Sequence, residues 1–227
     1  MVSCGVNAET RALGQVQTCL DKYVYELFPD HALTWERFDG NLDIEDSGES
    51  EDERRAAVEK QHKEKRFQAV DAACGGLVFY RFRINVKPTV FLTKLIDHLT
   101  HLPKEEQKQA QTSLRHCARW IPLDFICVAT TERMSKCFER VVKAHFADGL
   151  DPNTSVAIVT EIRNNISLKK EDVIQLIAPM LPPQLKIDLK NPTLVVFVTV
   201  FKSVCGMSVL ENYYQKKKFN LVTLLDQ

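Results

Sequence analysis

Apolar residues recur at helical spacing from Glu9 to Phe28, where Leu13, Val16, Leu20, Val24 and Leu27 share one stripe. Pro29 ends the pattern, so the segment predicts an amphipathic helix with one buried face. The period then changes. A short run at Leu33-Thr34-Trp35 suits a strand, and Leu77 to Ile84, entered through Cys74-Gly75-Gly76, alternates Val78, Tyr80, Phe82 and Ile84 against Phe79, Arg81 and Arg83. That two-residue period predicts a strand with one apolar and one basic face. Pro88 suits the first turn of a helix containing Val90, Phe91, Leu95, Ile96 and Leu99. A stretch rich in Lys and Gln leads past Arg115 and Arg119 to a strand expected from Trp120 to Ala129 and broken by Pro122. Thr131 then caps a helix with Met134, Cys137, Phe138, Val141, Val142 and Phe146 on one side and Arg133, Lys136, Arg140 and Lys143 on the other.

Two later segments have no polar face. Ser155-Val156-Ala157-Ile158-Val159-Thr160 and the run from Thr193 to Phe201 are rich in β-branched residues and read as strands buried on both sides of a sheet. The second is too short to span a bilayer. Each ends on polar groups, the first through Glu161-Ile162 into Arg163-Asn164-Asn165 and the second at Lys202. Between them, Ser167 is expected to cap a helix with Glu171 and Asp172 in its first turn, with Val173, Ile174, Leu176 and Ile177 buried and an end near Pro179. Helices alternating with strands predict an α/β (α+β) fold with a mixed, mostly buried sheet. If the two apolar strands are parallel neighbours, Arg163 and Lys202 emerge at one edge, where open α/β sheets commonly bind ligands.

Charge alters this picture. The 227 residues carry 30 Lys and Arg against 30 Asp and Glu, but residues 1–60 hold 6 basic and 14 acidic side chains, leaving the remainder with a net charge of +8. A basic body with an acidic front suits a polyanionic partner, because clustered cations release counterions from phosphates. Asp39 to Glu53 is strongly acidic with few apolar residues and reads as a disordered insertion, after which Arg54 to Lys65 resumes as a charged helix. Seven cysteines without a CxxC spacing suit a reducing compartment rather than a zinc or disulfide framework. The start, Met1 to Asn7, lacks the regions of a signal peptide, so a soluble intracellular chain is expected.

Catalytic patterns are missing. No glycine-rich phosphate loop, nucleophile elbow or HExxH occurs; Gly75-Gly76 is the only adjacent glycine pair, and the pair His98 and His101 lacks a third ligand nearby. Cys117, Cys127 and Cys137 lie ten apart, a spacing of no metal or redox site, and Cys127 and Cys137 fall on core positions. No metal, cofactor or enzymatic activity is expected. Binding chemistry is better represented. Taken alone, the stripe Arg133, Lys136, Arg140 and Lys143 reads more readily as a solvated helix face and Lys216-Lys217-Lys218 as a solvated or localising patch, while Arg163-Asn164-Asn165 reads equally well as a turn. Their joint occurrence favours a phosphate-binding surface.

In order along the chain, Lys65-Arg66-Phe67-Gln68-Ala69-Val70, Arg119-Trp120-Ile121-Pro122, Arg163-Asn164-Asn165, Asp188-Leu189-Lys190-Asn191-Pro192, Lys202 to Val209 and Tyr213-Tyr214 to Leu221 together resemble the THUMP-domain adaptor proteins of eukaryotic tRNA cytidine acetylation. The resemblance implies an N-terminal ferredoxin-like domain over 1–86 and a THUMP domain over 87–227. It further implies a non-catalytic adaptor that binds the acceptor stem and 3′ end of serine and leucine tRNAs. Such an adaptor presents them to an RNA cytidine acetyltransferase, which uses acetyl-CoA and ATP to form N4-acetylcytidine in the D arm. The rival reading is the RNA-binding piece of another THUMP-containing tRNA-modifying enzyme, of the methyltransferase or thiolation type. Nuclear or nucleolar residence, with some cytoplasmic presence, follows from the same resemblance, and no membrane partner does. The expected RNA-binding set is Arg119, Arg133, Lys136, Arg140, Lys143, Arg163, Asn164, Asn165, Lys169, Lys202, Lys216 and Lys217. Departures from the family pattern are Met1-Val2-Ser3-Cys4, which starts inside what resembles the front strand, and Gly206, where a second cysteine or other small residue is expected.

Overall fold

The computed structural model describes residues 1–34, 65–147, 151 and 154–226. The acidic segment Asp39–Glu53, and the charged helix expected from Arg54 except for its last residue Lys65, lie outside these residues. Two sheets organise the rest. Strand β1 (Val2–Cys4), helix α1 (Glu9–Leu27), strands β2 (Phe67–Val70) and β3 (Leu77–Phe82), helix α2 (Pro88–His101), helix α3 (Lys104–Ser113) and strand β4 (Cys117–Trp120) come first. Their strands form a sheet of order β2-β3-β1-β4 in which every neighbouring pair is antiparallel. This is a split β-α-β order. Helix α1 buries Ala12, Val16, Cys19, Leu20, Tyr23, Val24 and Leu27, and α2, with Pro88 in its first turn, buries Phe91, Leu92, Leu95, Ile96 and Leu99. The Leu33 run contributes an isolated bridge to Ile84.

The second sheet follows from β5 (Phe125–Val128), helix α4 (Thr131–His145), β6 (Ser155–Arg163), helix α5 (Lys170–Ile177), β7 (Lys186–Ile187), β8 (Leu194–Phe201) and β9 (Val204–Glu211), with the short helix α6 (Leu221–Leu225) near the end. Its order is β5-β9-β8-β6-β7; β6 runs parallel to β7 and β8, while β9 is antiparallel to β8 and β5. The sheet is mixed, as expected. Strand β8 is sandwiched. Val195, Phe197 and Phe201 join the core of the first sheet, whereas Val196, Val198 and Val200 pack with Met134, Phe138 and Val141 of α4 and Val173 and Ile177 of α5. Burial on both faces is why this run needs no polar alternation.

Three local expectations are corrected. The strand expected from Trp120 to Ala129 is two strands in different sheets, because Pro122 lacks an N–H for a ladder and the chain crosses between sheets there. Ser167 does not cap α5. The helix begins at Lys170, and the Asp172 carboxylate accepts from the Lys169 backbone N–H at 2.9 Å. Thr130 rather than Thr131 caps α4, its hydroxyl accepting from the Arg133 N–H at 3.4 Å. The expected division at 86/87 falls between β3 and α2, whereas the change of sheet falls between Trp120 and Phe125.

Candidate nucleic-acid interface

The parallel pairing of β6 with β8 aligns Arg163 with Phe201 and brings both strand ends to one edge. Beyond Phe201, Lys202 and Ser203 form the two-residue loop of the β8–β9 hairpin, with Lys202 in the left-handed region at φ 52°. Such loops favour positive φ because it matches the twist of the flanking strands. The loop is fixed from both sides: the Lys202 N–H donates to the Arg163 carbonyl at 3.0 Å, and the Ala129 N–H to the Ser203 carbonyl at 2.7 Å. Arg163 and Lys202, recognised separately along the sequence, are therefore neighbours.

The residues after Arg163 shape the edge. Asn164 is also left-handed, at φ 50°, a conformation asparagine tolerates well, and its Nδ2 donates to Cys74 Sγ at 3.4 Å, tying this edge to the loop before β3. The Asn165 Nδ2 donates to the Lys202 carbonyl at 2.7 Å, while its Oδ1 accepts from the Ser167 and Leu168 N–H groups at 3.0 and 2.9 Å. Asn165 thus holds the loop together, and Asn164 anchors it to the loop before β3. Lys169 and Lys170, both exposed, follow at the start of α5. Arg133 stands in the first turn of α4, directly after the Ala129 contact with the hairpin.

The segments that meet at this edge are predominantly positive: Arg133, Arg163, Lys169, Lys170 and Lys202 outnumber Glu132, Glu171 and Asp172. Two of those anions are engaged, Glu132 with Lys136 at 2.7 Å and Asp172 with the Lys169 backbone. The field of Arg163 reaches Cys4, whose thiol is pushed up by burial and by Glu9 while Arg163 draws it down.

The other expected residues separate from this edge. Arg119 lies on β4 and binds Glu161 of β6 through both guanidinium nitrogens, one of the contacts at 3.0 Å, with side-chain exposures of 25% and 19%. It is a strut between the two sheets. Lys136 sits one turn along α4 from Arg133; Arg140 lies over the Phe125 ring at 5.8 Å, its pKa lowered by burial; and Lys143 is exposed in the last turn. From Arg133 to Lys143 is about 15 Å of helix rise, so the stripe runs away from the edge. Lys216 and Lys217 follow β9, whose last residue Glu211 pairs with Leu194 at the opposite end of β8. Lys216 is placed over the Phe219 ring at 5.8 Å, and Lys217 is exposed with φ 51°.

The motif reading missed Lys170 and Ser203, although Lys170 is signalled by its position beside Lys169. It also passed over Ile166, whose neighbours Asn164, Asn165 and Ser167 mark a tight polar loop. The histidine pair does not form a ligand set: His98 Nε2 lies 3.1 Å from Glu26 and His101 Nδ1 meets the Asp97 carbonyl at 2.6 Å. Among the described residues, no group of three or more His, Cys, Asp or Glu side chains is arranged to hold a metal ion, and no helix is long and apolar enough to cross a membrane.

Residues 128–210, which contain the converging edge, match the THUMP domain family. Across 97% of its length the chain is 27% identical to THUMP domain-containing protein 1 of Homo sapiens, covering 62% of that protein, and 28% identical to its Mus musculus counterpart with the same coverage. It is 25% identical to the Saccharomyces cerevisiae protein named tRNA acetyltransferase TAN1, over 69% of this chain and 56% of the yeast protein. Among solved structures, PH1313 of Pyrococcus horikoshii aligns with 70% of this chain and 48% of its own, at a TM-score of 0.42 and 11% identity. The chain spans about 62% of the length of the mammalian relatives it matches.

Proposed function

We propose, from the premise that this chain carries a THUMP domain, that it is a tRNA-binding adaptor which presents its RNA to a separate RNA cytidine acetyltransferase. The observation that carries this reading is the meeting of Arg163 and Lys202 at the end of a parallel strand pair, with Lys169, Lys170 and Arg133 beside them. Phosphate contacts from such an edge supply affinity and register, while groups that reach base edges supply discrimination. Double-stranded RNA offers mainly shape and backbone, so discrimination falls on single-stranded ends. The acceptor stem and 3′ end of tRNA fit that division. By holding tRNA beside the acetyltransferase, an adaptor raises the effective concentration of substrate without contributing a reacting group. Serine and leucine tRNAs, N4-acetylcytidine as product and work in the nucleus or nucleolus complete the proposal. They rest on the family resemblance and on the name of the yeast relative.

The test is tRNA binding by the purified chain across a salt series. Affinity is expected to fall steeply with salt, and the Arg163→Ala/Lys202→Ala variant to weaken binding and flatten the slope by about 1–2, one unit or less for each lost phosphate contact. A flat response of the wild type, or an unchanged slope in the variant, overturns the phosphate-edge reading. Loss of N4-acetylcytidine from tRNA in cells lacking this chain tests the adaptor role.

A further inference from the structure

Ile166 is fully exposed, with a relative accessibility of 102%, whereas β-branched aliphatic residues ordinarily gain by burial. A single exposed aliphatic residue on a protein surface needs no explanation in general. Its setting here is unusual. Ile166 is the tip of the loop joining β6 to α5, and the residue before it locks that loop three times: Asn165 binds the Lys202 carbonyl through Nδ2 and the Ser167 and Leu168 N–H groups through Oδ1. The side chain is therefore presented by a fixed backbone, between Arg163 on one side of the loop and Lys169 and Lys170 on the other. Along the chain it lies midway between Arg163 and Lys169.

A surface made only of cations binds phosphates, and an aliphatic group among them adds nothing to that. An unstacked base has a broad apolar face needing cover, which proteins usually give with a flat side chain, and isoleucine is among the aliphatic side chains that pack against bases where a protein unstacks them. We propose that Ile166 packs against an unstacked base at a single-stranded end of the bound RNA, so that the edge distinguishes an extended end from a flush duplex. This rests on the tRNA-binding reading and deepens it by assigning the contact that phosphate binding cannot supply. Arg163 and Lys202 hold the backbone of the strand, and Ile166 meets the base that the backbone carries past the loop.

The experiment compares wild type, Ile166→Ala and the conservative Ile166→Val on two RNAs, a stem-loop with a single-stranded 3′ extension and the same stem ended flush. The side chain is fully exposed, so urea unfolding of the variants is expected to match wild type. Ile166→Ala is expected to weaken the extended RNA about tenfold, the worth of roughly 55 Å² of apolar surface removed from water. The flush RNA and the salt slopes for both RNAs stay unchanged, because no phosphate contact is lost, and Ile166→Val retains most of the affinity. Equal losses on the two RNAs, or none on either, overturn the proposal while leaving the tRNA-binding reading intact. Unchanged RNA binding with reduced capture of the acetyltransferase makes Ile166 a protein contact and also overturns it. A wild type that binds neither RNA overturns both readings.

Discussion

Gly206→Ala probes how closely the second sheet sits on the segment that joins it to the first. Gly206 occupies the middle of β9, opposite Ile126 on one side and Thr199 on the other. A Cβ built there meets Leu123 Cδ1 at 2.5 Å and its Cδ2 and Cγ at 3.2 Å, so all three nearest atoms belong to one side chain. Leu123 is 6% exposed and packed in the core of the first sheet, which leaves it little room to swing away. Overpacking of this kind costs about 1–3 kcal/mol, offset by about 0.4–1 kcal/mol from the stiffer unfolded chain. A net loss of about 1–2 kcal/mol is expected, read as a lower urea midpoint at unchanged slope and a thermal midpoint down by roughly 3–6 °C. Leu123→Ala alone leaves a cavity costing about 2–5 kcal/mol, and the new methyl group fills part of it. The double variant is therefore expected to be more stable than the sum of the two single losses by at least about 1 kcal/mol. Additive losses, or a stabilised Gly206→Ala, refute the close approach. The small residue expected at this position from the family resemblance is thus held to glycine by Leu123.

Arg119→Ala is expected to lower stability by about 1–2 kcal/mol, between the values of exposed and buried pairs, and to leave the salt slope of tRNA binding untouched. Because the single change strands Glu161, the Arg119→Ala/Glu161→Ala variant should unfold at no lower urea concentration than Arg119→Ala. Burial pushes the Cys19 and Cys117 thiols up to about 12 from an ordinary 9.0, with smaller contributions from Cys117 and Cys4 respectively. Below pH 9 these thiols are protonated folded or unfolded, and above it they ionise more readily when unfolded; urea midpoints should therefore hold to about pH 9 and fall progressively towards 12. Lys143→Ala, remote from the strand edge, is expected to change tRNA affinity less than about twofold in the salt series that detects Arg163→Ala. Lys202→Gly is expected to leave stability level or raise it by up to about 1 kcal/mol, while weakening tRNA binding as Lys202→Ala does.

Elements with a strong apolar signature were legible. The α1 stripe, the alternation of β3 and the two-sided burial of β8 each follow from residue pattern alone. Helix α3 did not announce itself because Gln107 is its only buried residue, leaving no apolar stripe to read. Strand β9, with Cys205, Gly206 and Ser208 in its middle, carries little β-branching; it is a strand because all eight of its residues pair with β8, a contact invisible to local periodicity. At the edge, the nearness of Arg163 and Lys202 followed from one assumption, that two apolar runs lie parallel. The diversion of Arg119 to Glu161 depends on which sheet each strand joins, so its cation looked as available as any other. The asparagine amides likewise read as free groups until the loop geometry gave them partners.

Strain and burial at the edge are connected. Two parallel strands end on left-handed residues, Asn164 and Lys202, and the Lys202 N–H reaches back to the residue just before Asn164. Asparagine adopts that conformation easily, but a side chain such as lysine pays about 1 kcal/mol for it, and glycine at 202 avoids the penalty. Such strain persists only where the surrounding structure over-determines it. Here β8 does so: Val195 to Phe201 is buried without a break, and the strand is hydrogen-bonded along its length to β6 and β9. The hairpin cannot relax without disturbing that ladder. A cation is thus kept at a position where stability alone favours glycine, and the buried strand holds it beside Arg163.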